Sequence, residues 1–179
     1  MADFVGPMDP DVPRWASDLR GTLPTPSGQR DVSRIKRIIV HRAGGPGWPG
    51  STEDLVRELC PHWPGQSTPY WAFVEPSGRV AVVTNLKDKG SHAASYNTSS
   101  LGVAVIGDFR KNTPSEAQRR ALLRLLQWCC ERFSFRAKDV YGHTELPGST
   151  RTPGKECPGW MLDMNALRLD LADGRGIIL

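Results

Sequence analysis

The stretch "SLGVAVIGDF", residues 100–109, constrains the fold more than any other part of the chain. Its apolar run is too short for a typical helix and is bounded by glycine, so it reads as an inner strand. An inner strand needs neighbours, and two other β-rich segments supply them. "RIKRIIVHRAGG", residues 34–45, rises to a β-branched apolar run and stops abruptly at His41 and a glycine pair. "PYWAFVEPSGRVAVVT", residues 69–84, reads as a hairpin turning at Pro76-Ser77-Gly78.

Helical periodicity alternates with these strands. "STEDLVRELC", residues 51–60, opens on a capping signal at Ser51 or Thr52 and places Leu55, Val56 and Leu59 at helical spacing. Residues 114–134 predict the longest helix, with Thr113 as N-cap, Pro114 first and Glu116 closing a capping box. Its apolar face runs through Ala117, Ala121, Leu122, Leu125, Cys129 and Phe133, with arginines opposite. A short strand at "DVYG", residues 139–142, and a last helix around 163–172 complete the pattern. The expected class is α/β: a single domain with a central mixed β-sheet flanked by helices on both faces. Residues 1–33, rich in Pro and Gly, are expected to form an irregular arm held by Trp15 and Leu19, leaving 34–179 as the domain proper.

Charge and cysteine usage narrow the functional classes. The net charge of +4 suits an anionic partner, but no run of five Lys or Arg occurs, which points away from nucleic acid. No apolar stretch approaches the ~20 residues a bilayer crossing needs, so stable membrane insertion is not expected. The start "MADFVGPMDPDVP" lacks a basic region followed by an apolar one, which argues for synthesis in the cytoplasm without a secretory signal. On that reading disulfides among the four cysteines are not expected. Cys129 and Cys130 belong to the long helix, whereas Cys157 stands in a Gly/Pro-rich loop.

The candidate chemistry gathers at strand ends and in that loop. His41 ends one strand, His143 follows another, and "YGHTELPGSTRTPGKECPGW", residues 141–160, carries both His143 and Cys157. Two imidazoles and a thiolate would supply three positions of a tetrahedral zinc site, leaving one open as in a catalytic centre. From the residues alone a second reading stands beside it, in which these are hydrogen-bonded structural histidines and an inert loop cysteine.

From His41 onward the chain resembles the zinc-dependent N-acetylmuramoyl-L-alanine amidases of the phage-lysozyme and peptidoglycan-recognition-protein type. The resemblance rests on five pieces in family order. They are "IIVHRAG", "PYWAFVEPSGRV", "GSHAASYNTSSLGVAVIGDF", "TPSEAQRRALLRLLQWCCERF", and "YGHTE" followed by "KECPG". It implies a zinc ion on His41, His143 and Cys157, with Tyr70 handling the attacking water and Lys155 stabilising the oxyanion. It further implies a substrate groove with His92 and Asn97, and with Trp48 and Trp71 as walls. The implied substrate is bacterial peptidoglycan, cut between N-acetylmuramic acid and L-alanine by a monomeric enzyme that acts on the wall after release, as a phage endolysin does.

Three departures from the family pattern stand out. Trp71 follows Tyr70 where the family has histidine. "LPGSTRTPG", residues 146–154, looks like an insertion between the second and third ligands. The inner strand "GVAVIG" offers no carboxylate, unlike the cytosolic amidases that recycle wall fragments, which disfavours that alternative. The other alternative is a module of this fold that binds peptidoglycan without cutting it.

Overall fold

The inner strand forms as its composition requires. In the computed structural model, which describes residues 11–45, 48, 50–149 and 156–174, strand β5 runs Ser100–Ile106 with all seven residues buried. It lies between β3 (Ala72–Val74) and β2 (Arg37–Ala43), parallel to both. The sheet has six strands in the order β1-β4-β3-β5-β2-β6, with β1 at Ser17–Asp18, β4 at Val80–Val82 and β6 at Val140–Gly142. Among these strands only β3 and β4 pair antiparallel, through the hairpin at Pro76-Ser77-Gly78. Gly78 turns it at φ 87°, and a Cβ there would lie 3.0 Å from the Ala117 carbonyl oxygen of the overlying helix.

The period-two alternation of the strands sorts side chains to two faces. Ile38, Val40, Leu101, Val103 and Val105 join one core cluster with α2 (Glu116–Phe133) and α3 (Met164–Ala172). Ala43, Phe73, Ala104 and Ile106 face the other way and pack against Leu55 and Val56 of α1 (Thr52–Leu59). The expected α/β fold, helices on both faces of a mixed sheet, is what the chain adopts. Among the described residues no helix is long and apolar enough to cross a membrane.

Helix α2 starts later than the sequence predicts. Ser115, not Thr113, is the N-cap, accepting a hydrogen bond from the Gln118 amide at 3.0 Å, and its hydroxyl donates to the Pro76 carbonyl at 2.7 Å. That second bond ties the helix start to the β-hairpin, a tertiary preference local capping rules do not contain. Gln118 is buried and its amide donates to the carbonyls of Val74 and Ile106, so a polar side chain closes the ends of two strands. The N-terminal segment expected to be an irregular arm contributes β1 to the sheet; next to it the backbone amide of Leu19 donates to the Val82 carbonyl, and Arg124 lies over the Trp15 ring at 4.4 Å.

Candidate metal centre

Strand parity puts His41 on the face opposite α2, where its neighbours across β5 are small. His41 pairs with Ala104 and Ile39 with Gly102, so this face of the sheet is hollow where the long apolar side chains would otherwise stand. His41 is buried there. His143 enters from the turn that immediately follows β6, itself paired in parallel with β2; His41 does not end its strand as expected but stands two residues inside the carboxyl end of β2, which runs on to Ala43.

Cys157 is brought in by backbone hydrogen bonds. The amide of Thr144 donates to the Cys157 carbonyl at 2.9 Å and its hydroxyl donates to the same oxygen at 3.1 Å. The Arg42 guanidinium donates to the carbonyl of Glu156 at 3.1 Å. The cysteine is therefore clamped to both histidine-bearing segments, although it stands 14 positions after His143.

The result is a triangle of donors. One atom each from His41, His143 and Cys157 lies within 4.8 Å of the others. Cys157 Sγ and His41 Nδ1 are 3.6 Å apart. Zinc bonds of ~2.3 Å to sulfur and ~2.05 Å to nitrogen at a tetrahedral angle require a separation of about 3.6 Å, so this edge already has the spacing of a zinc site. The protonation states fit too. Burial, then the neighbouring His92 and His143, holds His41 well below 6.5, and burial lowers His143, so both imidazoles keep lone pairs at neutral pH. Burial pushes the Cys157 thiol up from 9.0, only partly opposed by a backbone hydrogen bond from Arg42 and the charge of its guanidinium. A cation among these donors would complete the thiolate's electrostatics and displace its proton.

Tyr70 stands against this triangle, its ring 5.0 Å from that of His41 and edge-on to Trp63 and Phe73. Burial, with the nearby Cys157 adding to it, pushes the phenol up, so Tyr70 is an O–H group at neutral pH. A cleft of about 410 Å³ opens beside His143, between Ala93 to Tyr96 on one side and Pro147 to Ser149 on the other. Tyr96 bridges it, its hydroxyl donating to the Pro147 carbonyl at 3.1 Å. Lys155, expected at the oxyanion, and residues 150–154 of the apparent insertion lie outside the described residues.

The four expected groove residues land in different places. Trp71 does not line a groove: it is 2% exposed and stacks on Trp128 of α2 at 5.8 Å, in the core on the far side of the sheet. Its residue precedes the β3 ladder at a bend, so Trp71 and Ala72 both face α2 and simple alternation fails there. Trp48 packs on the α1 side, where a Cβ on Gly44 would meet its ring at 3.5 Å. Asn97 spends its side-chain oxygen on the amides of His92 and Ala93, at 3.0 and 2.7 Å, and so shapes the loop that carries His92. His92 does reach the cleft, but its Nδ1 lies 3.0 Å from His41 Nε2. Burial, then the charge of Arg30, takes His92 down to about 3, partly opposed by a backbone hydrogen bond at Ser100.

Two residues missed from the sequence, Thr144 and Arg30, brace the donors. Thr144 fixes Cys157, and Arg30 ties the His92 loop to β5 by donating to the carbonyls of Leu86, Asn97 and Ser100. Glu145 accepts from the Gly142 amide at 2.6 Å and pairs with Arg168 of α3 at 2.8 Å, holding the turn that presents His143. A glycine inside an apolar strand signals close approach of another group, and at Gly102 that signal was available.

Two neighbouring parallel strands and a loop that bring two neutral imidazoles and a thiol together, with a phenol alongside, offer the donor set of a tetrahedral transition-metal site, one edge of it at that site's spacing. The family follows from comparison with known proteins. The model of the N-acetylmuramoyl-L-alanine amidase family (Amidase_2) matches residues 31–160, and the chain belongs to that family. Peptidoglycan-recognition protein 2 of Holotrichia diomphalia is 34% identical over 141 residues, covering 75% of this chain and 72% of that one. A peptidoglycan-recognition protein of Drosophila simulans is 30% identical over 90 residues, covering 50% of this chain, and the match spans only 47% of that protein's length. Among solved structures, the endolysin N-acetylmuramoyl-L-alanine amidase LysCS of Clostridium intestinale superposes with a TM-score of 0.67 at 18% identity, over 87% of this chain and 94% of the other. Peptidoglycan recognition protein-LE, in complex with tracheal cytotoxin, gives 0.66 at 19% identity over 84% and 92%. At these identities the superpositions establish the fold.

Proposed function

We propose that this chain is a zinc-dependent N-acetylmuramoyl-L-alanine amidase that hydrolyses the bond between N-acetylmuramic acid and the stem peptide of peptidoglycan, with residues 34–179 carrying the catalysis. The observation that supports this most is the clustering of the His41, His143 and Cys157 donors within 4.8 Å of one another, with Tyr70 at the same point. His41 Nδ1, a ring nitrogen of His143 and the Cys157 sulfur would hold the ion. Zinc, when bound to three protein ligands, lowers the pKa of water toward ~7 and polarises a carbonyl, which is the chemistry amide hydrolysis needs.

The chain's own groups supply the rest. Tyr70 keeps its proton and positions the attacking water by hydrogen bonding. Thr144 and Arg42 hold Cys157 in place through the loop backbone, so the donors are preorganised. The cleft beside His143 receives a portion of the polymer, and the net charge of +4 favours approach to an anionic wall. Lys155 is assigned to the oxyanion on the family resemblance alone. The same resemblance supports an endolysin that reaches the wall after release from the cytoplasm, acting as a monomer.

The test is direct. Purified protein with zinc should release new L-alanine amino termini from cell-wall sacculi in step with loss of turbidity. Binding to sacculi with no new amino termini would replace this reading with a recognition module. Turnover of soluble muropeptides with intact walls untouched would replace it with a recycling amidase.

A further inference from the structure

His92 was expected in the substrate groove, yet both its ring nitrogens point to protein atoms. Nδ1 is 3.0 Å from His41 Nε2, and Nε2 is 3.5 Å from the Ser100 hydroxyl oxygen. The Ser100 hydroxyl in turn donates to the Tyr96 carbonyl at 2.6 Å. The direction of this relay can be worked out from its far end. A carbonyl only accepts, so the Ser100 proton is spent on Tyr96 and its oxygen faces His92 as an acceptor. His92 Nε2 must then carry a proton, since two lone pairs would otherwise oppose each other. A neutral His92 with its proton on Nε2 has a lone pair on Nδ1, which accepts from His41 Nε2–H. His41 Nδ1, the atom 3.6 Å from Cys157 Sγ, is left with its lone pair directed at the donor triangle.

The backbone is shaped around this ring. A Cβ at Gly102 would lie 2.9 Å from His92 Cγ and Nδ1, so the inner strand carries a glycine where the ring rests. Asn97 holds the amides of His92 and Ala93, and Arg30 pins the carbonyls of Asn97 and Ser100.

We infer that His92 is a positioning residue for the metal centre: it accepts from His41 Nε2–H and, with Ser100, fixes His41 in the tautomer whose Nδ1 can bind the ion. The inference rests on the metal-site reading of His41, His143 and Cys157. Histidines that ligate metals characteristically commit their second nitrogen to a carboxylate, carbonyl or water. Here another imidazole does so, and its own proton is fixed by a serine on the inner strand.

Two measurements on the full chain test it. Long-range proton–nitrogen NMR of the imidazoles in zinc-free wild type should show the proton on Nε2 of both His41 and His92. A His41 protonated on Nδ1 overturns the inference, and this readout needs neither zinc nor a variant. Chelator competition then gives zinc affinity for wild type, His92→Leu and His92→Asn. The leucine removes the acceptor and should weaken zinc by about 10- to 100-fold. Asparagine can place its carbonyl oxygen where Nδ1 stood and should recover most of that loss. Leucine at wild-type affinity, or asparagine as weak as leucine, overturns the inference. Wild type that binds no zinc instead defeats the metal-site reading, with the tautomer still deciding the role of His92.

Discussion

Substituting Gly102 by alanine adds one methyl group beneath His92, and the structure allows its effect to be worked out. The new Cβ would stand 2.9 Å from His92 Cγ and Nδ1 and 3.1 Å from Cδ2. Comfortable contacts between such atoms are about 3.5–4.0 Å, so the ring or the strand must move by roughly 0.5–1 Å. β5 is hydrogen-bonded on both sides, to β3 and β2, which leaves the ring to move. That motion stretches the 3.0 Å link to His41. Overpacking of this kind costs about 1–3 kcal/mol and a lost hydrogen bond about 1 more, against a gain of about 0.5–1 from replacing glycine within a strand. The net destabilisation is about 1–3 kcal/mol, which for a chain of this size lowers Tm by about 2–12 °C. Thermal unfolding of the zinc-free protein measures it, and chelator competition should show weakened zinc binding. Gly45→Ala, where an added Cβ meets nothing within 4 Å, is the control for a glycine-to-alanine change by itself. If Gly102→Ala matches Gly45→Ala in both Tm and zinc affinity, the packing of His92 against the inner strand is not what holds it.

Three further outcomes follow from the same geometry. Thr144→Val removes the hydroxyl bond to the Cys157 carbonyl but keeps the amide bond, so zinc affinity should fall about fivefold, the equivalent of ~1 kcal/mol, with little change in Tm. Trp71→Phe, a loss of buried volume against Trp128, should lower Tm while leaving turnover per folded molecule intact; a selective loss of turnover would restore Trp71 to the groove. Asp108, paired with Arg110 at 2.6 Å, is held at about 2 against an ordinary 3.8. Its contribution to stability is present above 3.8 and disappears as pH falls through about 2, so the stability gap between wild type and Asp108→Asn should close over that interval in acid unfolding curves.

Much of this was legible in the chain because the relevant forces are local. The short apolar run of β5, the hairpin glycine and the amphipathic stripe of α2 each follow from periodicity and turn chemistry. The position of His143 directly after a short strand was readable for the same reason, whereas β2 runs on through His41 to Ala43, because Arg42 and Ala43 still pair with Val105 and Ile106 of β5. What escaped is set by tertiary contact. β1 is two residues, Ser17 and Asp18, without any apolar pattern, and joins the sheet through its backbone. The cap of α2 moved to Ser115 because its hydroxyl also reaches Pro76. Trp71 was misassigned because a bend before β3 breaks the alternation that would have oriented it. His92 lies 51 residues from His41, and no local pattern reports a hydrogen bond between them.

The central claim is that His41, His143 and Cys157 together hold a catalytic zinc ion. Bound zinc measured in purified wild type and in Cys157→Ala, with hydrolysis of sacculi followed in parallel, tests it most directly. The account predicts about one zinc per wild-type chain, much weaker retention in the variant, and loss of new amino termini along with the metal. Equal zinc in the two proteins, with wall hydrolysis unchanged, would contradict it.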